Sequence, residues 1–268
     1  MKRGDIDSGN EFNFGNTSSD YSKYRDIYPD SMYQKLYDLG IGQKGQMILD
    51  LGTGTGVFPR AMYKYGAQFT GIDISREQIE YAIEISKNQN MNIRYKVCPA
   101  ESTELNSGEY DIITSVQSFI YFDRERIGPE LTRLLRNGGK MVIIWMVWLP
   151  YESKIAEATE RLVLQYNPAW SGAGYRRSTD DNFLVFLPDI FEKTETLQYT
   201  ENLEFNYETW TGRIRACRGV SASLPGNLVD EFNREHTRVL KEMTDEPFKI
   251  PHEIRIGIYK RRLQPVAV

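Results

Sequence analysis

Cysteine and histidine are nearly missing from this sequence, with two of each in 268 residues. Cys98 and Cys217 are too few for a disulfide framework or a structural zinc site; the pair suits a reducing cytoplasm and reads as two inert thiols. His236 and His252 stand apart from any metal-ligand spacing, so the default reading is structural or surface histidine, with no metal site. A basic excess is lacking too. Lysine plus arginine total 33 against 37 for aspartate plus glutamate, a net charge of −4, and nothing points to nucleic acid as a partner. No window holds enough consecutive apolar residues to span a bilayer, and the longest apolar run, Met141 to Pro150, has the length of a buried strand. Residues 1–20 are polar, rich in Asn, Ser, Gly and Asp, without the apolar core of a signal peptide, and read as a flexible N-terminus. What remains is a cytoplasmic chain long enough to bury the core of one α/β domain with an inserted cap, its oligomeric state open, a homodimer included.

One stretch organises the rest. Gln46 to Leu51 is an apolar run interrupted by Asp50, and it leads into a glycine-rich turn with Gly52, Gly54 and Gly56. Residues 57–65 then have helical character. A glycine loop between a strand and a helix is where doubly wound folds place a nucleotide-like ligand, because the backbone can take positive φ and a ligand can approach where a Cβ would block it. The dinucleotide fingerprint G-x-G-x-x-G would put its third glycine at position 57, which is Val57. The carboxylate of Asp50 would repel a pyrophosphate but suits a ligand with an ammonium or sulfonium group.

Asp50-Leu51-Gly52-Thr53-Gly54-Thr55-Gly56 resembles the first motif of the class I S-adenosylmethionine-dependent methyltransferases, D/E-x-G-x-G-x-G. The C-terminal stretch around Thr209 to Ala216 and Ser221 to Pro225 resembles the small-molecule enzymes related to trans-aconitate methyltransferase. The resemblance implies a Rossmann-like, doubly wound α/β fold. Its seven-stranded mixed sheet has an antiparallel last strand, and a helical lid insertion follows strand five. It implies S-adenosyl-L-methionine as cofactor and a small-molecule methyl acceptor. Under it Asp50, Gly52, Thr53, Gly54 and Gly56 form the loop part of the cofactor site. Asp73, 21 positions after Gly52, takes the ribose hydroxyls at the end of strand two, with Ile74 and Gln78 beside it. Ala100 and Glu101 flank the adenine, and Ser115, Gln117 and Phe122 follow strand four. Tyr21, Tyr24 and Arg25 belong to a tyrosine-rich segment that folds over the cofactor in similar enzymes, although the same rings could simply pack a helix on the sheet.

Tyr28, Tyr121, Trp148, Trp170 and Arg215 are the candidate acceptor contacts. For the two tryptophans the alternative is a buried helical decoration, and for Arg215 a pairing with a neighbouring acid. Relatives often carry a histidine after strand four. Here Gln117 and Tyr121 stand in that region, so no catalytic residue is assigned and a base is optional, since the donor's methyl carbon is already electrophilic. The chain divides on this reading into residues 1–20, a cofactor-binding core at 21–147, a lid or substrate cap at 148–195, and a C-terminal part of the sheet with helices at 196–268. Two rivals stay open: an NAD-dependent oxidoreductase, and a binding module that has kept the fold without the chemistry.

Overall fold

The computed structural model describes residues 4–17, 20, 23–24, 28–177 and 187–262. Seven strands run through it: β1 Met47–Leu51, β2 Gln68–Asp73, β3 Arg94–Val97, β4 Tyr110–Val116, β5 Leu135–Trp148, β6 Phe191–Phe205 and β7 Phe248–Arg261. They hydrogen-bond in the order β3-β2-β1-β4-β5-β7-β6. The first five pair in parallel, and the sheet is mixed with its last strands antiparallel. β1 is central, flanked by β2 and β4, and four of its five residues are buried. A strand covered on both faces has to be apolar nearly throughout, which is why the lone acid Asp50 within it draws notice.

By contacts the chain forms two compact units. One comprises Pro29–Trp145, Ser178–Gln198 and Ile254–Val268. Its helices are α1 Asp30–Asp38, α2 Val57–Met62, α3 Arg76–Asn88 and α4 Ile127–Leu134. Ser75 starts α3 by accepting the Gln78 N–H on its hydroxyl, and Ile79, Ala82 and Ser86 turn one face of that helix inward. Leu131, Leu134, Leu135, Met141 and Ile143 join Leu49, Leu51 and Ile113 in the core of this unit.

Strand five differs from its expected extent. It begins at Leu135 rather than Met141, because Leu135 already pairs with Tyr110 before the next pair, Ile112 with Lys140, so the residues between bulge out of the ladder. Glycines 138 and 139 therefore form part of a bulged strand.

The second unit comprises Met1–Tyr28, Met146–Arg177 and Tyr199–Glu253. It carries α5 Lys154–Tyr166, α6 Tyr207–Arg215 and α7 Gly226–Met243. Its core is aromatic: Trp148, Trp170, Trp210, Phe205 and Phe232 pack with Val163, Ile214 and Ile250. The ring of Trp148 lies 5.7 Å from Trp210 and 6.5 Å from Trp170. Asn206 and Thr209 start α6 with reciprocal side-chain to backbone bonds.

The N-terminal residues correct the expectation of a flexible tail. Ile6 and Phe12 are buried, and Asp7 is 2% exposed, with its carboxylate on the Arg218 guanidinium at 2.7 Å and on the Ser171 N–H at 2.7 Å. Asn13 donates its N–H to the Ala222 carbonyl at 2.8 Å. Two apolar side chains and one buried ion pair hold this segment, and a count of polar residues does not reveal them.

Candidate functional site

The strand-to-helix loop is built around two carboxylates. Asp50 is 2% exposed, and the Thr114 hydroxyl from the adjacent strand β4 donates to its Oδ1 at 2.6 Å. Burial pushes the Asp50 carboxyl up to about 7; the hydrogen bond from Thr114 opposes that rise, and the charge of Asp73 adds to it. Asp73 closes β2 half-buried. The Gly54 N–H donates to its Oδ2 and the Ser75 N–H to its Oδ1, both at 2.9 Å. Its carboxyl is also raised, first by burial, with those backbone donors pulling the other way.

Two of the three glycines are dictated by close packing. Gly52 has φ +64°, and a Cβ there would lie 2.5 Å from the Ser118 Cβ. Gly56 has φ +76°, and a Cβ there would strike the Tyr95 hydroxyl. Ser118 holds the segment after β4 against the loop, donating to the Leu51 carbonyl at 2.7 Å and sharing a 2.6 Å bond with the Ser115 hydroxyl.

Around this loop the remaining sequence-predicted positions of the same unit divide by exposure. Ile74 is 61% exposed although apolar, directly after Asp73, whereas Ala100 is buried. Gln78 is buried on α3. The Glu101 carboxylate accepts the Asp123 N–H at 2.7 Å and so ties the loop after β3 to the loop that follows β4. Ser115 and Phe122 are buried, while Gln117 and Tyr121 are half-buried. Gln117 has φ +62°, an uncommon conformation for a side chain that size, and its N–H donates to the Ile144 carbonyl at 2.9 Å. Thr53 is 7% exposed between the first two glycines.

Thr114, Ser118, Tyr95 and Asp123 are part of this construction, and sequence reasoning did not single them out. For Thr114 a signal was present. A threonine next to a serine interrupts the apolar run of β4, and a hydroxyl in a strand buried on both faces needs a partner.

The other unit holds Tyr24, Tyr28, Trp148, Trp170 and Arg215, while Tyr21 and Arg25 lie outside the described residues. Tyr24 donates its hydroxyl to Glu208 at 2.8 Å, and its ring lies against Gly212 of α6. The Arg215 guanidinium grips Asp20 in a two-pronged pair at 2.5 and 2.6 Å and donates to the Asn233 side chain at 2.5 Å. Arg215 thus pairs with an acid of the chain itself, the alternative weighed for it above. Trp148 and Trp170 are 8% and 7% exposed within the aromatic core, and the Trp148 indole N–H donates to the buried Glu160 at 2.6 Å. Packing, rather than presentation to a substrate, accounts for both rings. Tyr28 is half-buried. His236 and His252 are fully buried, and burial lowers each to about 3, so both stay neutral.

The methyltransferase domain model matches residues 49–143, a span that includes the loop, Asp73 and Thr114. A provisionally named methyltransferase of Dictyostelium discoideum is 28% identical over 212 residues, covering 74% of this chain and 76% of that protein. A ubiquinone biosynthesis O-methyltransferase of Coxiella burnetii is 32% identical over 108 residues, so the chain spans 46% of that relative's length. Among solved structures, a provisionally named type II methyltransferase from Anaeromyxobacter dehalogenans aligns with a TM-score of 0.59 at 20% identity, over 89% of this chain and 98% of that one. A provisionally named methyltransferase from Bacillus halodurans aligns with a TM-score of 0.56 at 15% identity, over 87% and 99%. At such identities the structural likeness is one of fold.

Proposed function

We propose that this chain, a member of the class I S-adenosylmethionine-dependent methyltransferases, moves a methyl group to an oxygen, nitrogen or sulfur atom of a small-molecule acceptor by in-line displacement, with carboxylates among the candidate acceptors. One observation carries the placement of the cofactor. Asp50 and Asp73 flank the glycine loop, and among the described residues neither meets a cationic side chain. Negative charge left uncompensated in a buried loop fits a ligand that brings its own positive charge.

In this reading Asp50 faces the ammonium end of the cofactor. Asp73, its carboxylate oriented by two backbone donors that leave a lone pair on each oxygen, accepts the two ribose hydroxyls. Ile74 and Ala100 offer apolar surface to the adenine, with Glu101 at its edge. Bound there, S-adenosylmethionine supplies a methyl carbon made electrophilic by its sulfonium. The chain's task is then to align the acceptor with that carbon and keep water out. A carboxylate acceptor needs no base; for a phenol or amine, a group near Gln117 or Tyr121 in the segment after β4 takes the proton, directly or through water. The net charge of −4 favours a metabolite over a nucleic acid, and two cysteines that form no disulfide among the described residues suit a reducing cytoplasm.

Calorimetric titration with S-adenosylhomocysteine and, separately, with NAD tests the cofactor. Binding of the first and not the second, weakened at least tenfold by Asp73→Ala, is the expected result; the reverse preference overturns the reading. A panel of carboxylates, phenols, amines and thiols with labelled methyl donor then tests transfer. Tight cofactor binding with no transfer to any class would favour a binding module.

A further inference from the structure

Asp50 and Thr114 share a contact whose chemistry goes beyond holding two strands together. Asp50 lies on β1 beside Gly71 of β2 and Thr114 of β4, so the strand ladder brings the Thr114 hydroxyl to the carboxylate. Thr114 is fully buried, and no water competes for that hydroxyl. The other titratable or charged groups around Asp50 are Asp73 at the end of β2, Tyr95 on β3 and Arg60 on α2. Asp73 repels an ionised Asp50. Tyr95 is itself raised in part by the Asp50 charge, and its hydroxyl is engaged with Ser86 at 3.0 Å. Arg60 directs its guanidinium to the Thr55 carbonyl. Thr114 is therefore the side chain whose hydrogen bond favours the anion, and nothing cationic assists it among the described residues.

We propose that Thr114 is a positioning residue which, by donating to Asp50, favours the anionic form of that carboxylate, so that the cofactor enters the loop in exchange for a proton. This rests on the reading that the loop holds the adenosyl amino acid. Below neutrality Asp50 carries a proton in the free protein, and a cationic ligand finds a neutral neighbour. As pH rises the carboxylate ionises and attracts the ligand's ammonium, while bound ligand holds it ionised. The apparent affinity scales with the ionised fraction. With Asp50 half-ionised at about 7, affinity is about tenfold higher at pH 8 than at pH 6, and at pH 7 about half a proton leaves per ligand bound.

The test is calorimetry of S-adenosylhomocysteine binding from pH 6 to 8, in phosphate and in Tris, whose different ionisation enthalpies count the protons released. The wild-type chain should show the tenfold rise and the half proton. Thr114→Val, which keeps the volume and removes the donor, should move the midpoint of the affinity profile to higher pH. Thr114→Ser should return it toward wild type, and Asp50→Asn should flatten it. A merely structural role for Thr114 would change stability and leave the midpoint where it was. Binding with a flat wild-type profile and no proton release overturns the proposal, as does a Thr114→Val profile that coincides with wild type while Thr114→Ser confirms that the site is folded. Failure of the wild-type chain to bind S-adenosylhomocysteine at any of these pH values overturns the cofactor reading itself.

Discussion

Replacing Gly52 by alanine puts one methyl group where the structure has no room for it. The residue sits at φ +64°, and the new Cβ would lie 2.5 Å from the Ser118 Cβ and 2.9 Å from its Oγ. The left-handed conformation alone costs an alanine about 1–2 kcal/mol. Overpacking against a side chain that cannot swing away adds about 1–3 kcal/mol. Ser118 cannot swing away cheaply, because its hydroxyl is bonded both to the Leu51 carbonyl and to Ser115. The sum, about 2–5 kcal/mol, corresponds to a fall in melting temperature of roughly 4–9 °C for a chain of this size. Urea unfolding of Gly52→Ala, Ser118→Gly and the double variant separates the two contributions. In the Ser118→Gly background the alanine should cost only the conformational part, giving a coupling of about 1–3 kcal/mol between the sites. A single variant as stable as wild type, or two penalties that simply add, would refute the claim that the loop and the segment after β4 are in close contact through this pair.

Three further outcomes follow from charge and burial. The Asp50 carboxyl sits at about 7 in the folded chain against 3.8 when unfolded, so its contribution to stability is complete below about pH 4 and is lost as pH rises through 7. Asp50→Asn should remove a fall of up to about 1.4 kcal/mol per pH unit over that window, seen in urea midpoints at successive pH values. For His236 and His252, burial lowers the folded values to about 3. Stability should therefore fall as pH drops from about 6.5 toward 3, and their ring proton NMR shifts should stay constant from pH 8 to 5. The pair between Arg215 and Asp20 is half-buried and two-pronged; a double-mutant cycle should give a coupling of about 1–3 kcal/mol, and Arg215→Lys, which keeps the charge and loses the fork, should recover less than half of it.

The parallel half of the sheet was legible because its signals are local. Apolar runs of strand length, glycines at the turn after β1 and an acid at the end of β2 each report on their own neighbourhood, and in the structure the Gly54 N–H donates to Asp73. What was not legible depends on partners distant in sequence. Thr114 meets Asp50 across 64 positions and Arg215 meets Asp20 across 195, and neither spacing carries a periodic signature. The tryptophans 148 and 170 were ambiguous for a different reason: a large ring looks the same in a sequence whether it lines a cleft or fills a core, and only their exposure decides. The start of β5 was misplaced because a bulge obeys the ladder on either side of it and not the alternation within it.

The anchoring of the first residues has a practical consequence for anyone cutting or tagging this protein. A truncation that begins at Pro29, where the glycine-loop unit starts by contacts, discards Asp7 and leaves the Arg218 guanidinium, 9% exposed, without its counter-ion. It also strips Phe12 from beneath that guanidinium. A purification handle at this end meets the buried Ile6 two residues after Gly4, so it needs a linker that leaves that side chain in place.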